Sequence, residues 1–477
     1  MFGGNSTLAW TYLAIEWTIR IVMLVVVPFR RSPDAARGWL LLVFFLPVPA
    51  LVLYLLIGRP AYPQWRHQRF ARARRLLAEV IKELEQSPSC CRPRLPENLA
   101  MAALLIERLG EFPALGGNTI KLLTDYDEVV ERLVADIDSA HSHVHLLSYI
   151  FADDAAGQLV IDALLRAAAR GVQCRVLIDA LGSRAWARRV GLRLAGGGVD
   201  AALALPVSLL QRRRTRADLR NHRKIFVVDA RIAYIGSQNI IAANFSPGIL
   251  NRELVVQASG PIVLALQALF VSDWFIETDK ILDTALFFPH QRAEKGAVAQ
   301  LLPSGPDYPV SGVERMVVAL VHGARRRIVI TTPYFIPDES LLQALQTVVL
   351  RGVEVQLIVS RDLDNWFVNL AQRSYYDELL SAGVTIHRYR SGLLHAKHIS
   401  IDEDIVVIGS TNIDIRSFML NSEASLVIYD SEVTAHLRAE QDRNLLASDR
   451  LLPADWARRP FAPKLIENVA RLVSPLL

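Results

Sequence analysis

The chain has 477 residues, which is too long for one ordinary domain and favours two or three. Its composition is 52% apolar with a mean hydropathy of +0.25, so either the cores are large or part of the chain lies in lipid. A net charge of +5 is compatible with an anionic lipid or a nucleic acid and requires neither, and the three cysteines have neither metal nor disulfide spacing, which suits a reducing compartment.

The N-terminal region contains two apolar stretches, at residues 8–29 and 39–57. Each is near the roughly 20 residues that a membrane-spanning helix requires. A cleaved signal peptide fits poorly, because no basic residue precedes the first stretch and no small-x-small cleavage site ends it. We therefore predict two membrane segments within residues 1–60.

Polar and proline residues shape both stretches. Glu16 and Arg20 are four positions apart, so they lie on one helical face and are expected to pair, because a lone charge in a membrane is costly. Pro47 and Pro49 should kink the second stretch or make it re-entrant.

Arginines flank the second stretch, and the larger cluster follows it. By the positive-inside tendency that cluster favours a cytoplasmic catalytic region, although a hairpin would put the loop arginines on the opposite face. These arginines are also suited to anionic lipid headgroups. The loop holds Arg30, Arg31 and Arg37, and the larger cluster comprises Arg59, Arg66, Arg69, Arg72, Arg74 and Arg75.

Residues 61–117 are Arg-rich and then mixed, which is typical of a helical connector followed by a linker. From there the chain repeats itself. Each half has a strand-like run, a helical pattern and an Arg-Gly-Val sequence, at Arg170 or Arg351, that leads into a second strand. This order favours an α/β fold with mixed sheets flanked by helices, and we expect domains at 118–290 and 291–477.

Each half then reaches a polar motif with the same internal spacing. The first motif consists of His222, Lys224 and Asp229, followed by Gly236, Ser237 and Asn239. The second consists of His395, Lys397 and Asp402, followed by Gly409, Ser410 and Asn412. Seven positions separate Asp from Gly in both copies, so the duplication is not a chance match.

The spacing indicates how the motif side chains lie. Residues i and i+2 share one face of a strand, so His222 and Lys224 should point together, as should His395 and Lys397. His398 falls on the opposite face and is excluded from the site. Each motif is expected to form a strand-turn-strand unit, with Asp229 and Asp402 at the turns.

Two histidines can supply the two roles that phosphodiester exchange requires, a nucleophile and a proton donor. One stays neutral and attacks phosphorus, while the other is protonated and supplies the leaving group with a proton. The lysines and the Ser and Asn side chains would hold the non-bridging phosphate oxygens. This scheme requires no metal and no cofactor. The phosphate-binding candidates are Ser237, Asn239, Ser410 and Asn412.

At these residues the chain resembles the phospholipase D superfamily, from about Thr119 onward, and within it the chain is similar to bacterial cardiolipin synthases. The resemblance implies a covalent phosphohistidine and one composite site between two similar domains that form a pseudo-twofold pair. It is carried by the paired motifs, the two membrane segments and the segments Tyr149-Ile-Phe-x-Asp153, Asn221-His-Arg-Lys224, Ser304-Gly-Pro306, Ile415-Arg-Ser-Phe418, Asn421-x-Glu423 and Ser474-Pro-Leu-Leu477.

The same resemblance implies that two phosphatidylglycerol molecules are joined into cardiolipin with release of glycerol. His222 corresponds to the family's nucleophile and His395 to its acid and base, while Glu253 and Glu423 match acids that orient the histidines. The expected partners are phosphatidylglycerol, other anionic phospholipids and the bilayer, with no nucleic acid and with a homo-oligomer allowed. The implied location is a bacterial inner membrane, crossed more than once.

Three alternative functions remain. Water in place of a second lipid would make the protein a hydrolytic phospholipase D. A superfamily nuclease would favour a short soluble or secreted chain over a double anchor. A lipid-binding scaffold without activity ranks last, because both motifs are intact.

Other patterns receive structural interpretations. His141, His143 and His145 alternate without an acidic or Cys partner and predict a partly exposed strand face. Trp366 and Phe367 are expected in the core, with membrane docking as a minority interpretation.

A basic run precedes the first motif, at residues 212–216, with Arg220 and Arg223. We expect either a solvated loop or a surface that attracts lipid headgroups.

Overall fold

The computed structural model describes residues 4–31, 33–58, 62–207, 216, 218–245, 249–282, 287–289, 295–308, 311–361 and 365–473. The chain divides into an N-terminal unit, Met1–Tyr62 with Arg216–Asp218, and a large unit, Pro63–Thr215 with Leu219–Leu477. Some sequence features lie outside the described residues: Arg59, residues 212–215 of the basic run, the domain boundary expected at 290–291 and the segment Ser474–Leu477.

The N-terminal unit consists of helices that pack through a small apolar cluster including Met23, Trp39 and Tyr54. Among the described residues, Leu8–Val26 is the one stretch long and apolar enough to cross a membrane. Its helices are α1 Gly4–Val26, α2 Pro33–Phe45 and α3 Pro47–Ile57.

Two expectations for this unit are confirmed and one is modified. Arg20 Nη1 lies 3.1 Å from Glu16 Oε2, so the predicted ion pair forms. The second apolar stretch is interrupted at Leu46, because Pro47 begins a new helix, as the proline pair predicted. A continuous helix over residues 39–57 is therefore not formed, and α2 and α3 are each shorter than a spanning helix.

The helices of the large unit alternate with its strands. Several begin at an aspartate whose carboxylate accepts backbone N–H groups of the first turn, at Asp125, Asp154, Asp338 and Asp430. The helices are α4 Gln64–Gln86, α5 Glu97–Gly110, α6 Tyr126–Asp138, α7 Ala155–Ala169, α8 Ala187–Gly196, α9 Ile262–Thr278, α10 Gly312–Gly323, α11 Glu339–Leu350, α12 Trp366–Arg373, α13 Tyr376–Ala382, α14 Ile415–Met419, α15 Ser431–Leu446, α16 Pro453–Ala457 and α17 Phe461–Val473.

The strands are short and mostly buried on both faces. They are β1 Leu115–Leu123, β2 His143–Ser148, β3 Gln173–Asp179, β4 Asp200–Ala204, β5 Arg220–Asn221, β6 Ile225–Val228, β7 Ile232–Gly236, β8 Asn251–Arg252, β9 Val255–Ser259, β10 Ala297–Ser304, β11 Arg327–Thr331, β12 Phe335–Ile336, β13 Glu354–Ser360, β14 Thr385–Tyr389, β15 Leu393–Leu394, β16 His398–Ile401, β17 Ile405–Gly409, β18 Ile413–Asp414, β19 Asn421–Tyr429 and β20 Ser448–Arg450.

One mixed sheet runs through the large unit and contains both halves of the repeat. The first half has the order β1-β9-β7-β6-β2-β3-β4, and the second has the equivalent order β10-β19-β17-β16-β11-β13-β14. The halves are joined where β1 pairs antiparallel with β10. The expected strand-turn-strand units form as β6 with β7 and β16 with β17. The α/β repeat is therefore confirmed.

Helices cover both faces of this sheet, as its doubly buried strands require. The helix α9 is predominantly apolar and almost wholly buried, with Phe270 and Trp274 in its core contacts. The prediction that His143 and His145 lie on a partly exposed strand is wrong. Both are buried beside α9, where His145 stacks on Phe270 at 4.5 Å between ring centroids and its Nδ1 accepts a hydrogen bond from Gln267 Nε2 at 2.8 Å.

Helix α4, within the expected connector, packs on α9 and is not a free spacer. Its first arginines do not face solvent as a headgroup-binding cluster would. Arg66 is buried and binds Glu277 at 2.5 Å and Asp307 at 3.2 Å. Arg69 is buried as well, donates to the carbonyl of Ile276 at 2.7 Å and pairs with Asp279 at 2.6 Å. Ion pairing within the protein therefore replaces the predicted lipid contact for these two arginines.

Candidate active site

Each His-x-Lys motif lies in an irregular segment just before a strand, not inside it as expected. The two-residue strand β5, before the first motif, pairs in parallel with the start of β19. The strand β15, before the second motif, pairs in parallel with β8 of the first half. The backbone of each half therefore holds the motif of the other half.

Backbone hydrogen bonds extend this exchange to the histidines themselves. The N–H of His222 donates to the carbonyl of Ser422 at 2.9 Å, and the N–H of His395 donates to the carbonyl of Arg252 at 2.8 Å. The next residue along each accepting strand is a glutamate, at 423 and at 253. This register brings one carboxylate to each histidine.

The two histidine side chains bind glutamates from opposite halves. His222 Nδ1 lies 3.0 Å from Glu423 Oε1, and His395 Nδ1 lies 2.6 Å from Glu253 Oε1. A carboxylate on Nδ1 fixes the ring so that the other nitrogen, Nε2, is available for chemistry. Both glutamates are buried, and only small fractions of the histidine rings are exposed.

The two lysines of the motifs are buried beside the histidines. Lys224 Nζ donates to the carbonyl of His222 at 2.7 Å, and Lys397 Nζ donates to the carbonyl of His395 at 2.5 Å. Burial lowers the pKa of Lys224 to about 7. The ring of Tyr149 contacts both members of the first motif, at 4.8 Å from the ring of His222 and 5.2 Å from Lys224 Nζ. Tyr149 was part of a family segment but was not among the predicted site residues.

The structure does not bring Asp229 and Asp402 to the histidines, although both were predicted as catalytic. The carboxylate of Asp229 accepts three backbone N–H groups, from His141, Ser142 and His143, each at 2.8 Å. The carboxylate of Asp402 makes the same kind of contacts to the N–H groups of residues 325–327. Each aspartate ends the strand that follows its motif, so it fixes that strand against the neighbouring loop.

Asp229 also shows the electrostatic effect of these contacts. Burial would raise the pKa of its carboxyl group, but the three backbone donors outweigh burial and lower the pKa below its usual value.

The serines of the Gly-Ser pairs are buried and form hydrogen bonds with the segments that carry the two glutamates. Ser410 Oγ donates to Glu423 and accepts from the N–H of Ala424 at 3.1 Å. Ser237 Oγ accepts from the N–H of Leu254 at 3.1 Å. The preceding glycines allow this close approach, because a Cβ at Gly236 or at Gly409 would collide with the facing backbone. These contacts place both serines beside the segments that carry the glutamates, and their phosphate-binding role stays a prediction.

The two asparagines each lie just after the second strand of their unit, β7 or β17, but they have different surroundings. Asn239 Oδ1 accepts from the N–H of Ile150 at 3.1 Å, which directs its amide NH₂ away from that backbone. Asn412 is buried. Amide NH₂ groups and lysine ammonium groups are the donors here that suit non-bridging phosphate oxygens.

The two His–Glu pairs differ in charge. Burial raises the pKa of Glu423 to about 7. Burial opposes ionisation of Glu253 too, but His395 and Lys397 outweigh it and lower the pKa of Glu253. Burial, with Lys224 and Lys397, lowers the pKa of His222 well below its usual value.

Burial lowers the pKa of His395 as well, with Glu253 acting against it. His222 is therefore the histidine whose neutral form is favoured more strongly, and His395 is the one with an ionised partner.

An ionic network that the sequence did not reveal supports the first motif. Arg220 and Arg223 are buried, so the prediction of a solvated or headgroup-attracting surface is wrong for them. Arg223 Nη1 binds Asp273 at 2.6 Å, and its Nε donates to the carbonyl of Glu423 at 2.9 Å. Arg220 pairs with Asp179 at 3.3 Å. In the second half Leu393 and Ala396 occupy the equivalent positions, so this network belongs to one half alone.

The fold and this site define a protein with two phospholipase D-like repeats that share one composite centre. The model of the family described as "Cardiolipin synthase, PLD-like domain" matches residues 133–274 and 317–445, and the model "Phospholipase_D-nuclease N-terminal" matches residues 18–59. The chain belongs to the cardiolipin synthase family of phospholipase D-like proteins.

Proteins that are similar to this chain along its full length support the same family. The chain is 34% identical to cardiolipin synthase A of Cronobacter sakazakii, over 99% of both chains, and 33% identical to cardiolipin synthase A of Pectobacterium carotovorum, over 96% of this chain and 95% of that protein. Among solved structures, phosphatidylserine synthase of Haemophilus influenzae matches with a TM-score of 0.60 over 79% of this chain and all of that chain, at 16% identity, which shows the shared fold.

Proposed function

We propose that the protein transfers a phosphatidyl group between two phosphatidylglycerol molecules through a phosphohistidine on His222, giving cardiolipin and glycerol. The observation that carries the proposal is the pair of reciprocal contacts, His222 with Glu423 and His395 with Glu253, which give one site two oriented imidazoles in unequal electrostatic surroundings. The full-length relatives are named cardiolipin synthase A, which supports the choice of substrate and product.

In the first step Nε2 of neutral His222 attacks the phosphorus of one phosphatidylglycerol. A nitrogen–phosphorus bond forms, and the bond from phosphorus to the headgroup glycerol oxygen breaks. Protonated His395 gives its Nε2 proton to that oxygen, and glycerol leaves. Because Glu253 is ionised, it favours the protonated form of His395, whereas His222 lacks comparable support and stays neutral.

In the second step the headgroup hydroxyl of another phosphatidylglycerol attacks the same phosphorus. His395 accepts the hydroxyl proton as the new oxygen–phosphorus bond forms, and the bond to His222 breaks. Cardiolipin leaves, and both histidines return to their starting protonation states. Atoms and charge balance without an external reactant.

Positive and dipolar groups stabilise the charge on phosphorus oxygens in both steps. Lys224 and Lys397 are within the same buried region, and the amides of Asn239 and Asn412 are the remaining donors at this edge. In this proposal the serines and the aspartates of the motifs act by holding the structure around the histidines.

The remaining expectations concern organisation in the membrane. The described helix over Leu8–Val26 supports membrane attachment. We propose that α2 and α3 complete a second, kinked membrane segment, so that the chain is multi-pass with its catalytic region cytoplasmic. We also propose catalytic domains at 118–290 and 291–477, which agrees with the equivalent strand orders of the two halves.

Product analysis tests this function. The purified full-length protein is incubated in detergent with phosphatidylglycerol, and the lipids and glycerol are quantified. Cardiolipin and glycerol in equal amounts support the proposal. Phosphatidic acid without cardiolipin would mean that water is the acceptor and would overturn it in favour of a hydrolytic phospholipase D.

A further inference from the structure

Helix α17 is packed with its amphipathic pattern reversed. Large apolar side chains face solvent: Phe461 is 76% exposed and Leu472 81%, with Leu465, Ile466 and Val469 each about half exposed. At 3.6 residues per turn these five positions fall within about 140° of one face. We call them the C-terminal stripe. A surface helix of a soluble protein normally turns such a stripe inward.

The opposite side of α17 is attached through polar contacts. Glu467 is 1% exposed, and its carboxylate binds Arg459 at 2.8 Å and Arg373 of α12 at 2.8 Å. Arg471 lies over the ring of Tyr375 at 4.1 Å. Ala470 is the one apolar residue buried with them among the described part of this helix. Ion pairs thus fix α17 in the orientation that exposes the stripe.

The segment around the stripe is net positive, since residues 453–473 hold four basic and two acidic side chains. The one acidic residue of α17, Glu467, is buried and paired. Lys464 and Arg471, on the flank next to α13, pair with Asp377 at 3.9 Å and Glu378 at 3.4 Å, respectively. Arg458, ahead of the helix, has 81% of its side chain exposed and pairs with Asp455 at 3.8 Å. An apolar arc in a segment of net positive charge complements an anionic lipid surface.

Helix α12, which packs on α17, adds an aromatic side chain to this part of the molecule. Trp366 at its start is 73% exposed, so the expectation that it lies in the core is wrong. Exposed tryptophans suit the boundary between lipid headgroups and acyl chains. A second copy of the chain is a poorer occupant, because five such side chains offer on the order of 500 Å², whereas a stable dimer buries about 800 Å² per partner.

We propose that the C-terminal stripe is a membrane-docking surface that lies in the interface of an anionic phospholipid bilayer, as a contact separate from the N-terminal helix α1. This inference rests in part on the proposed function, since an enzyme that joins two bilayer lipids gains from a second contact that holds its catalytic unit at the lipid surface. The arrangement of α17 itself is independent of the reaction.

The test uses the full-length protein in phosphatidylglycerol vesicles, with a fluorophore on a single introduced cysteine. Cys90, Cys91 and Cys174 are first replaced by serine or alanine. The stripe variant is Leu465→Cys, and its matched control is Leu350→Cys, an isolated exposed leucine at the end of α11. Nitroxide-labelled lipids should quench the probe at 465 at least about threefold more than the probe at 350.

The outcomes separate the possible occupants without using turnover, so failure of the proposed function does not affect them. Equal quenching at both positions, with the probe at 465 accessible to a water-soluble quencher, would overturn the inference. A probe at 465 shielded from water but not quenched by lipid, on a particle with the mass of two copies, would overturn it in favour of self-association.

A second comparison addresses the role in catalysis. The double variant Leu465→Glu with Val469→Glu should lose about tenfold turnover on vesicle substrate and retain turnover on phosphatidylglycerol in detergent micelles, because only the bilayer requires docking. Leu350→Glu should change neither. Equal losses on vesicles and micelles would contradict a docking role.

Discussion

His222 hydrogen-bonds through Nδ1 to Glu423, a residue 201 positions further along the chain and in the other half of the sheet. The reciprocal contact joins His395 to Glu253, 142 positions earlier. Neither half therefore contains a complete His–Glu pair of its own, and the site exists only when the two halves are assembled. Changes in one half are expected to act on the histidine of the other.

Replacing Glu253 by Gln tests the assignment of His395 as the proton donor. Glu253 raises the pKa of His395, so its loss lowers that pKa. Because in the proposed mechanism glycerol leaves only when His395 is protonated, the alkaline limb of the kcat profile should move to lower pH. The measurement is kcat against pH for the wild type, Glu253→Gln and the matched Glu423→Gln. An unchanged alkaline limb in Glu253→Gln would argue against this role.

A substitution at Gly236, in the first half, should affect His395 in the second half. A Cβ at this position would collide with the carbonyl oxygen of Leu254 and with Val255, so Gly236→Ala displaces the segment before β9 that carries Glu253. Loss of the contact to His395 should lower kcat by about 10- to 100-fold with little effect on KM. The control is Gly191→Ala in α8, where a Cβ meets nothing within 4 Å. Normal kcat in a folded Gly236→Ala protein would contradict the cross-half coupling.

Asp229 should contribute to stability and not to the chemical step. Asp229→Ala removes the acceptor for three backbone N–H groups and is expected to lower the free energy of unfolding by about 2 to 3 kcal/mol. The pKa of Asp229 is lowered on folding, so its stabilisation is present above the ordinary carboxyl pKa and is lost as the pH falls through the folded value.

The measurement for Asp229 is chemical denaturation at neutral and at acidic pH, with Glu403→Ala, at an exposed acid after the second motif, as the control. The gap between wild type and Asp229→Ala should narrow in acid. A fully stable Asp229→Ala protein without turnover would instead place the carboxylate in the reaction.

The pair of Arg223 and Asp273 should be essential for folding of the first motif. Asp273→Asn leaves a buried arginine without its counter-charge and is expected to destabilise the protein by about 3 kcal/mol or more. Asp162→Asn, which removes an acid from an exposed pair with Arg193, should change stability by less than about 1 kcal/mol. Thermal unfolding of both variants provides the comparison, and equal melting temperatures would contradict the argument.

Sequence reasoning could predict the repeat, the α/β class and the strand-turn-strand units, because these depend on local pattern and on duplicated spacing. It placed the histidines, lysines and glutamates in one site, and the structure brings them together. It could not predict that Ser410 would bind Glu423, or that Asp229 would bind backbone N–H groups, because both contacts depend on long-range register. A polar residue in a motif gives no sign of whether it faces a substrate or its own backbone.

Most of the wrong predictions concerned the exposure of charged residues. Arg66 and Arg223 were predicted to be near solvent or lipid, and both are buried in ion pairs with acids from distant segments. Arginine is rarely buried without a partner, and the partner is not recognisable from a single sequence. The apolar residues of the C-terminal stripe recur with the period of a helix, so their common face can be recognised in the sequence. That this face points to solvent follows only from the structure, in which Glu467 on the opposite face is buried.

Locating the covalent phosphoryl group tests the central claim most directly. The full-length protein is mixed with phosphatidylglycerol carrying a radioactive phosphate, quenched in alkali, which preserves phosphohistidine, and digested for peptide sequencing. We expect label on His222 in the wild type and no label in His222→Ala. In His395→Ala the label should form more slowly and persist longer, because the acid of the first step and the base of the second step are both removed. Label on His395 in the wild type, or cardiolipin formation with no labelled histidine, would contradict the claim.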